Sequence, residues 1–185
     1  MSLAARDERP IPLHEAGDSV IWVKQMEIVG VRVELPANTP MVLLQETDGD
    51  RRLLPIYIGN PEAAAIHSAL EGITPPRPLT HDLLVDSIAA LGADITGVTI
   101  TDIRDHTFYA ELVINDATGE QVTISCRPSD ACAVAVRVGA TIHADDSVLD
   151  AAGRVPAEEE PEAEEIIDEF HDFLENVNPE DFGAS

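Results

Sequence analysis

Two short polar turns, each flanked by apolar strand-like segments, constrain the fold of this chain more than any other feature of its sequence. The first turn is TDGD at residues 47–50 and the second is DATG at residues 116–119. Aspartate and glycine between apolar runs are typical of β-hairpins, because glycine adopts the positive φ angles that tight turns require. The chain is therefore predicted to contain an antiparallel sheet built from at least two hairpins.

Further strands are predicted where apolar and polar residues alternate, because successive side chains of a strand point to opposite faces. The predicted strands are residues 26–35, 41–46, 52–59, 95–104, 107–115 and 121–125, with a short strand at 141–144 and a further strand allowed at 20–23. Pro55 has no N–H to donate to a neighbouring strand, so it is expected at a sheet edge or a bulge.

Three helices are predicted between the strands, where apolar residues recur at helical spacing. They begin near residues 60, 80 and 127, and glycines at 72, 92 and 139 end them. Asn60 and Thr80 are the predicted N-caps of the first two helices, since both side chains can accept a hydrogen bond from a free backbone amide. A helical turn is also predicted at residues 147–152.

These elements predict an α+β fold, with a mainly antiparallel sheet of hairpins packed against two to three helices and a C-terminal amphipathic helix. Residues 1–23 are predicted to be a flexible leader, 24–153 the folded domain, 154–163 an acidic linker and 164–185 the C-terminal helix and tail. The apolar stripe of that last helix consists of Ile166, Ile167, Phe170, Phe173, Leu174 and Val177.

Negative charge dominates the composition, with 35 acidic and 11 basic residues and a formal net charge of −24. Twelve of the acidic residues and no basic residue lie after residue 155. Nucleic-acid affinity normally comes from lysine and arginine side chains that displace counterions from the phosphate backbone. Binding to a nucleic acid would therefore require a local basic pocket or bound metal ions.

No segment predicts membrane association or secretion. The longest apolar runs are too short to cross a bilayer, and the N-terminus lacks a basic stretch followed by an apolar core. A cytoplasmic protein is therefore expected. Cys126 and Cys132 lack the spacing of a zinc site, and we interpret them as small buried hydrophobic residues.

Five short segments resemble, in order, motifs of the bifunctional nuclease family. They are LPIYIG at 54–59, EAAAI at 62–66, RPLTHDLL at 77–84, DHTFYAEL at 105–112 and CRPSDA at 126–131. The resemblance extends over roughly residues 26–152. It implies an α+β domain and a phosphodiester hydrolase, because some plant members act on both RNA and DNA.

The first candidate site is His81-Asp82, in the first turn of the second predicted helix. The imidazole of His81 could act as a general base or metal ligand, and Asp82 could bind a divalent cation. The alternative is that Thr80 caps the helix, Asp82 interacts with the helix dipole and His81 packs against the proline-rich link before it.

The second candidate site is the start of the third helix. Free amides at a helix N-terminus favour an anion, Arg127 could bind a phosphate with two hydrogen bonds, and Ser129 could donate another. The alternative is that Asp130 interacts with the helix dipole and Arg127 pairs with a nearby carboxylate.

A third group consists of Glu62, with Arg77 and Asp105 as looser members. Glu62 close to His81 and Asp82 would form a cluster able to hold Mg²⁺ or Mn²⁺. The other histidines, His106 among them, have no partner pattern and are interpreted as ordinary solvent or boundary residues.

The leading hypothesis is a metal-assisted nuclease of low sequence specificity that acts on RNA, DNA or both. His81, Asp82 and Glu62 would be catalytic, Arg127, Ser129 and Arg77 would bind substrate phosphates, and Asp82, Glu62 and Asp130 would bind Mg²⁺ or Mn²⁺. No organic cofactor is expected. The alternative is a non-enzymatic regulatory module, since edge strands favour a homo-oligomer and the C-terminal helix could dock on another protein.

Overall fold

A computed structural model of the chain describes residues 11–16 and 19–156, with side chains from residue 23 onward. The strands are β1 (Ile11–Ala16), β2 (Ser19–Glu34), β3 (Thr39–Glu46), β4 (Leu53–Tyr57), β5 (Asp94–Arg104), β6 (Thr107–Asn115), β7 (Gln121–Cys126) and β8 (Thr141–Asp145). The helices are α1 (Asn60–Leu70), α2 (Thr80–Ala90), α3 (Pro128–Val138) and α4 (Asp146–Ala152). The predicted C-terminal helix lies outside the described residues.

The strands form one sheet in the order β4-β3-β2-β8-β5-β6-β7, and β1 pairs with β2 off this path. Every pairing is antiparallel except that between β5 and β8. The predicted α+β class with a mainly antiparallel sheet is therefore confirmed. The residues at 20–23, where the sequence allowed a strand, lie within β2.

The order of elements repeats along the chain, although the sequence shows no internal repeat. Three strands that pair as antiparallel neighbours are followed by a helix, first as β2-β3-β4-α1 and then as β5-β6-β7-α3. Strand β8 then lies between β2 and β5 and joins the two halves into one sheet. As a result α1 and α3 each follow the outermost strand of one half.

The core lies between the sheet and the helices, and α1 packs against α3. Strands β3 and β4 alternate strictly between buried and partly exposed residues, as their sequences predict. Helix α3 is the most buried helix, with small side chains such as Ala131, Ala133 and Ala135 almost inaccessible. Small residues let the helix backbone lie close to the strands beneath it.

Two predicted N-caps are wrong by one residue. Gly59 precedes α1 as its N-cap, and Asn60 is already helical. Leu79 precedes α2, and the carboxylate of Asp82 accepts the backbone N–H of Leu79 at 2.8 Å. The capping group of α2 is therefore an acidic side chain inside the first turn instead of the predicted Thr80 hydroxyl.

Pro55 lies in β4, which forms one end of the strand order, so its predicted edge position is confirmed. Leu53 at the start of β4 exchanges two backbone hydrogen bonds with Arg154, at 2.7 and 2.8 Å. In the described part of the chain, no helix combines the length and hydropathy needed to span a membrane.

Candidate functional site

A concave cleft of about 540 Å³ opens where three chain segments meet. They are the junction between β4 and α1, the tight turn between β5 and β6, and the start of α3. We call this space the main cleft. Its lining residues are Ile56, Tyr57, Ile58, Gly59, Glu62, His106, Thr107, Phe108, Arg127, Pro128 and Ser129. Three predicted site residues, Glu62, Arg127 and Ser129, are among them.

The repeated order of elements explains why two helix N-termini reach this cleft. Each helix begins two or three residues after an outer strand ends, with proline in its first turn and a carboxylate shortly after it. Glu62 occupies that acidic position in α1 and Asp130 occupies it in α3. Both carboxylates lie near the positive end of a helix dipole, where negative charge is stabilised.

Arg127 connects the two helix N-termini. Its Nε and Nη2 donate to the two oxygens of Asp130, at 2.7 and 2.9 Å, and its Nη1 donates to Glu62 Oε1 at 3.0 Å. The Arg127 side chain is 65% exposed despite these contacts. A guanidinium carries five N–H donors, and three are used here, so two remain for a ligand in the cleft.

These ion pairs shift the pKa values of both Arg127 and Asp130. The hydrogen bonds that Arg127 donates to Asp130, and then the negative charge of Asp130, raise the pKa of Arg127, with Glu62 adding to the effect. Burial acts to raise the pKa of Asp130, but the hydrogen bonds from Arg127 and His81 outweigh it and hold this pKa below its usual value. The cluster therefore contains a permanently charged guanidinium and an ionised Asp130 at neutral pH.

His81 joins this cluster from α2. Its Nε2 lies 3.3 Å from Asp130 Oδ1, and its side chain is 15% exposed. Asp130 thus contacts both an imidazole and a guanidinium, an arrangement in which a carboxylate fixes the orientation of each. The structure therefore brings together four predicted site residues, which are Glu62, His81, Arg127 and Asp130.

Asp82 lies apart from the four clustered residues. It forms an ion pair with Arg137 of α3, and it caps α2 through the Leu79 amide. These hydrogen bonds hold the pKa of Asp82 below its usual value, the one from Arg137 having the larger effect. Arg137 is only 11% exposed and also donates to the carbonyl oxygen of Ala133 at 2.7 Å. Asp82 therefore fixes α2 against α3 and so positions the neighbouring His81.

Two predicted phosphate ligands and Asp105 have different environments. Ser129 is buried in the first turn of α3 and lines the main cleft. Arg77 is exposed in the proline-rich link between α1 and α2 and does not line this cleft. Asp105 is exposed in the tight turn between β5 and β6. Of these three residues, Ser129 alone is placed at the cleft.

Tyr57 and His106, which were not predicted to be site residues, both line the main cleft. His106 and Asp105 form a two-residue hairpin turn with φ angles of 61° and 48°. Positive φ angles are uncommon in residues other than glycine, and strained backbone is often found at functional sites. The sequence feature that indicated this tight turn was the gap of only two residues between the predicted strands at 95–104 and 107–115.

The predicted metal ligands do not form a ready-made metal site. Among the described residues, no group of three histidine, cysteine, aspartate or glutamate side chains is arranged to hold an ion. Both oxygens of Asp130 and one oxygen of Glu62 contact Arg127, and Asp82 pairs with Arg137. The prediction that Mg²⁺ or Mn²⁺ binds here remains a prediction.

Gly59 controls the position of the Glu62 carboxylate, which gives a testable consequence. A Cβ atom at Gly59 would lie 2.3 Å from Glu62 Oε2, while the φ angle of −79° suits any residue. We expect Gly59→Ala to leave the fold intact but to displace Glu62 from Arg127. The measurement is the thermal midpoint together with the rate of phosphodiester cleavage, using Glu62→Gln for comparison. A Gly59→Ala variant with an unchanged cleavage rate would contradict the importance of the contact between Glu62 and Arg127.

Similarity to known proteins extends over the part of the chain that forms the main cleft. The bifunctional nuclease domain matches residues 42–156. An uncharacterised protein of Mycobacterium tuberculosis is 46% identical over 167 residues, which cover 87% of this chain and 99% of that protein. The matched domain includes every residue of the main cleft and more than half of the chain.

Plant relatives are more distant. Bifunctional nuclease 2 of Oryza sativa subsp. japonica is 29% identical over 111 residues, covering 58% of this chain and 34% of the plant protein. Bifunctional nuclease 1 of Arabidopsis thaliana is 26% identical over 103 residues, covering 55% of this chain and 32% of the plant protein. The chain thus spans about a third of the length of these plant proteins. The domain match establishes that the chain belongs to the bifunctional nuclease domain family.

Proposed function

We propose that this protein is a nuclease that hydrolyses phosphodiester bonds in RNA, DNA or both with low sequence specificity. The observation that carries the proposal is the exposed guanidinium of Arg127 in the main cleft, oriented by Asp130 and Glu62 and with two N–H donors to spare. The names of the plant relatives support the reaction class.

Phosphate binding would use Arg127 and the two helix N-termini. A guanidinium matches the geometry of two phosphate oxygens, and free backbone amides at the start of α1 and α3 add further donors. The Ser129 hydroxyl is close enough to the cleft to add another. Contacts of this kind go to the sugar-phosphate backbone and carry no base information, which is why we propose low sequence specificity.

Water activation would fall to Glu62. One of its oxygens, Oε1, accepts from Arg127, so Oε2 remains as the acceptor that could take a proton from an attacking water. We propose that His81 is a positioning residue, because its contact is with Asp130, which in turn orients Arg127. Asp82 is likewise a structural residue, because it holds α2 against α3 through Arg137. Arg77 does not line the main cleft and has no role in the proposed mechanism.

A divalent ion would have to reach this cleft together with the substrate. Mg²⁺ commonly binds through one or two carboxylates and the substrate phosphates while keeping several waters, so a preformed cage of three side chains is unnecessary. Glu62 is the carboxylate of the cleft that could take part, with its Oε2 acting either as a ligand of the ion or as the base for an ion-bound water. When bound, Mg²⁺ or Mn²⁺ would neutralise charge on the phosphate, which matters in a chain of net charge −24.

The test is cleavage of RNA, single-stranded DNA and duplex DNA by the purified full chain, with Mg²⁺, with Mn²⁺ and with a chelator. We expect Glu62→Gln to lower the rate of cleavage by about 100-fold, since general-base catalysis typically contributes that much or more. Glu71→Gln, an exposed residue just after α1, is the matched control and should retain full activity. Equal rates for Glu62→Gln and the unmodified protein would point to a contaminating nuclease and remove Glu62 from the proposal.

A non-enzymatic regulatory module is the second candidate. The observation that favours it is the uncovered outer side of α2, where Leu83 and Leu84 are 59% and 41% exposed and no residue is buried. Such a face is suited to a protein partner, as is the apolar stripe predicted for the C-terminal helix. Absence of cleavage, combined with a change in oligomeric size after deletion of residues 157–185, would favour this candidate.

A further inference from the structure

Aromatic side chains are scarce in this chain, so their positions are informative. Residues 23–156 contain three of them, Tyr57, Phe108 and Tyr109. Tyr57 and Phe108 both line the main cleft, and Tyr109 does not. Phe108 is partly buried and packs against the core of the domain. Tyr57 is therefore the aromatic side chain of the cleft that is most available to a ligand.

The Tyr57 side chain is exposed but held in one orientation. It is 49% exposed, although Leu54 and Ile56 on the same strand are buried. Its hydroxyl donates a hydrogen bond to Glu34 Oε1 at 3.0 Å. A hydrogen bond at the hydroxyl fixes the ring without covering its faces. Little side-chain entropy would therefore be lost when a flat ligand stacks on this ring.

A second cation lies near this ring, in addition to Arg127 in the cleft. The hydrogen bond to Glu34, partial burial and the charge of Glu34 raise the pKa of the Tyr57 hydroxyl, and the positive charge of Arg154 acts to lower it. Arg154 is close enough to Tyr57 for its charge to act there, because its backbone pairs with Leu53 at the start of the same strand. A ligand on Tyr57 would therefore have a guanidinium nearby for a further phosphate.

The charge of the chain favours a ligand that offers more than phosphates. Nine of the 11 lysines and arginines lie in residues 23–156, and Arg51, Arg52, Arg104, Arg127 and Arg137 among them form ion pairs with carboxylates. A protein that holds a duplex through its phosphates commonly makes about 6–10 contacts, and this supply of cations is small for that task. Stacking of a base on an aromatic ring needs no cation, so a net charge of −24 does not oppose it.

The main cleft has the size of a site for one small ligand. Its volume of about 540 Å³ falls within the range of about 300–1,000 Å³ that is typical of pockets for small molecules, and a single nucleotide is a ligand of this class. In a duplex, each base is covered on both faces by its neighbours in the stack. An aromatic side chain therefore reaches a base face only where the base is unpaired or flipped out.

We propose that Tyr57 is a stacking platform for an unpaired base, and that the substrate of the main cleft is single-stranded RNA or DNA. This subsite rests on the proposed nuclease function, because it supplies a base contact next to the phosphate site at Arg127. Stacking is tolerant of sequence, since every base has a π-face, and so agrees with low sequence specificity.

Binding of oligonucleotides to the purified full chain tests the subsite without requiring turnover. Fluorescence anisotropy of a labelled oligothymidylate is measured with a chelator and again with Ca²⁺ in place of Mg²⁺, and a gel verifies that the strand stays intact. We expect the single strand to bind at least about fivefold more tightly than the same strand in a duplex, which is the lower end of the effect of stacking one base on an aromatic ring.

Variants of Tyr57 separate the ring from the rest of the cleft. We expect Tyr57→Ala to weaken binding of the single strand by at least about fivefold and to leave binding of the duplex unchanged. Tyr57→Phe keeps the ring and should retain most of the affinity. Tyr109→Ala is the matched control, because Tyr109 is also partly exposed, at 36%, but lies outside the cleft lining.

A strand of abasic deoxyribose phosphates keeps the phosphates and removes the bases. Tyr57→Ala and the unmodified chain should bind this strand equally, whereas a general disturbance of the fold by Tyr57→Ala would weaken its binding as well. Single-strand binding that Arg127→Ala lowers and Tyr57→Ala does not would overturn the stacking subsite and leave the nuclease proposal standing. Absence of both binding and cleavage for every strand would overturn the nuclease proposal and the subsite with it.

Discussion

Replacing Arg127 by alanine is expected to lower the rate of the proposed phosphodiester cleavage by about 100- to 1,000-fold, the range typical of removing one preorganised donor to a developing negative charge. Arg127→Ala removes the two free N–H donors in the main cleft. It also leaves Asp130 and Glu62 facing each other without the cation that lies between them. The remaining cleft would then repel a phosphate, so both binding and turnover should fall.

Arg104→Ala is the control for this experiment. Arg104 resembles Arg127 in exposure, 66% against 65%, and it also pairs with an aspartate, Asp102. It lies at the end of β5 with its guanidinium over the ring of Tyr109, and it does not line the main cleft. Cleavage rates under identical conditions should separate the two variants. A similar loss in both would indicate that general positive charge matters and would contradict a specific role for Arg127.

Replacing Arg52 by methionine is expected to lower the free energy of unfolding by about 3–5 kcal/mol, the cost typical of breaking a buried ion pair by removing one partner. Glu46 is only 2% exposed, and Arg52 donates to both of its oxygens at 2.9 and 3.0 Å. Arg52 also contacts Asp146 and Asp150 of α4, so it joins the β3–β4 hairpin to that helix. The variant leaves the buried Glu46 carboxylate without the cation that is paired with it.

The decrease in the free energy of unfolding caused by Arg52→Met should depend on pH. Burial acts to raise the pKa of Glu46, but the hydrogen bonds and charge of Arg52 outweigh it and hold that pKa below its usual value. In the unmodified protein this pair therefore stabilises the fold above the unfolded-state pKa of glutamate, and the contribution is lost as pH falls through the lower folded-state pKa. In Arg52→Met the sign reverses, because protonation of Glu46 removes an unpaired buried charge.

Urea unfolding at pH 7 and pH 4.5 measures both effects. The difference between Arg52→Met and the unmodified protein should be largest at pH 7 and smaller at pH 4.5. Arg51→Met is the control, because Arg51 and its partner Glu27 are both about half exposed and such pairs contribute little. A pH-independent difference for Arg52→Met would show that lost packing, and not the buried carboxylate, causes the destabilisation.

Local patterns in the sequence were sufficient for most of the fold. Alternation of apolar residues and turn chemistry are local signals, and they located the strands from β3 to β8 and the helices α1 to α3 within a few residues. Strand β2 begins at Ser19, seven residues before the predicted strand at 26–35. The N-caps at Asn60 and Thr80 were wrong because the choice among adjacent residues depends on backbone geometry and on the Asp82 carboxylate, which the spacing alone does not resolve.

The candidate site was harder to predict from the sequence than the fold, because it depends on which distant segments of the chain meet. Glu62 and Arg127 were each visible as polar residues at a helix start, but their 3.0 Å contact follows from the repeated order of strands and helix. Asp82 was grouped with His81 because the two are adjacent in sequence. Adjacent helical residues point in directions about 100° apart, so one reaches Asp130 and the other reaches Arg137.

The position of β8 also determines when the sheet can be completed while the chain is being synthesised. This strand lies in the middle of the sheet but is the last to be made, since only α4 follows it in the described domain. The halves β2-β3-β4-α1 and β5-β6-β7-α3 leave the ribosome first and have no direct pairing with each other until β8 emerges. A nascent chain stopped before residue 141 would therefore expose the inner edges of β2 and β5, and unpaired strand edges favour aggregation.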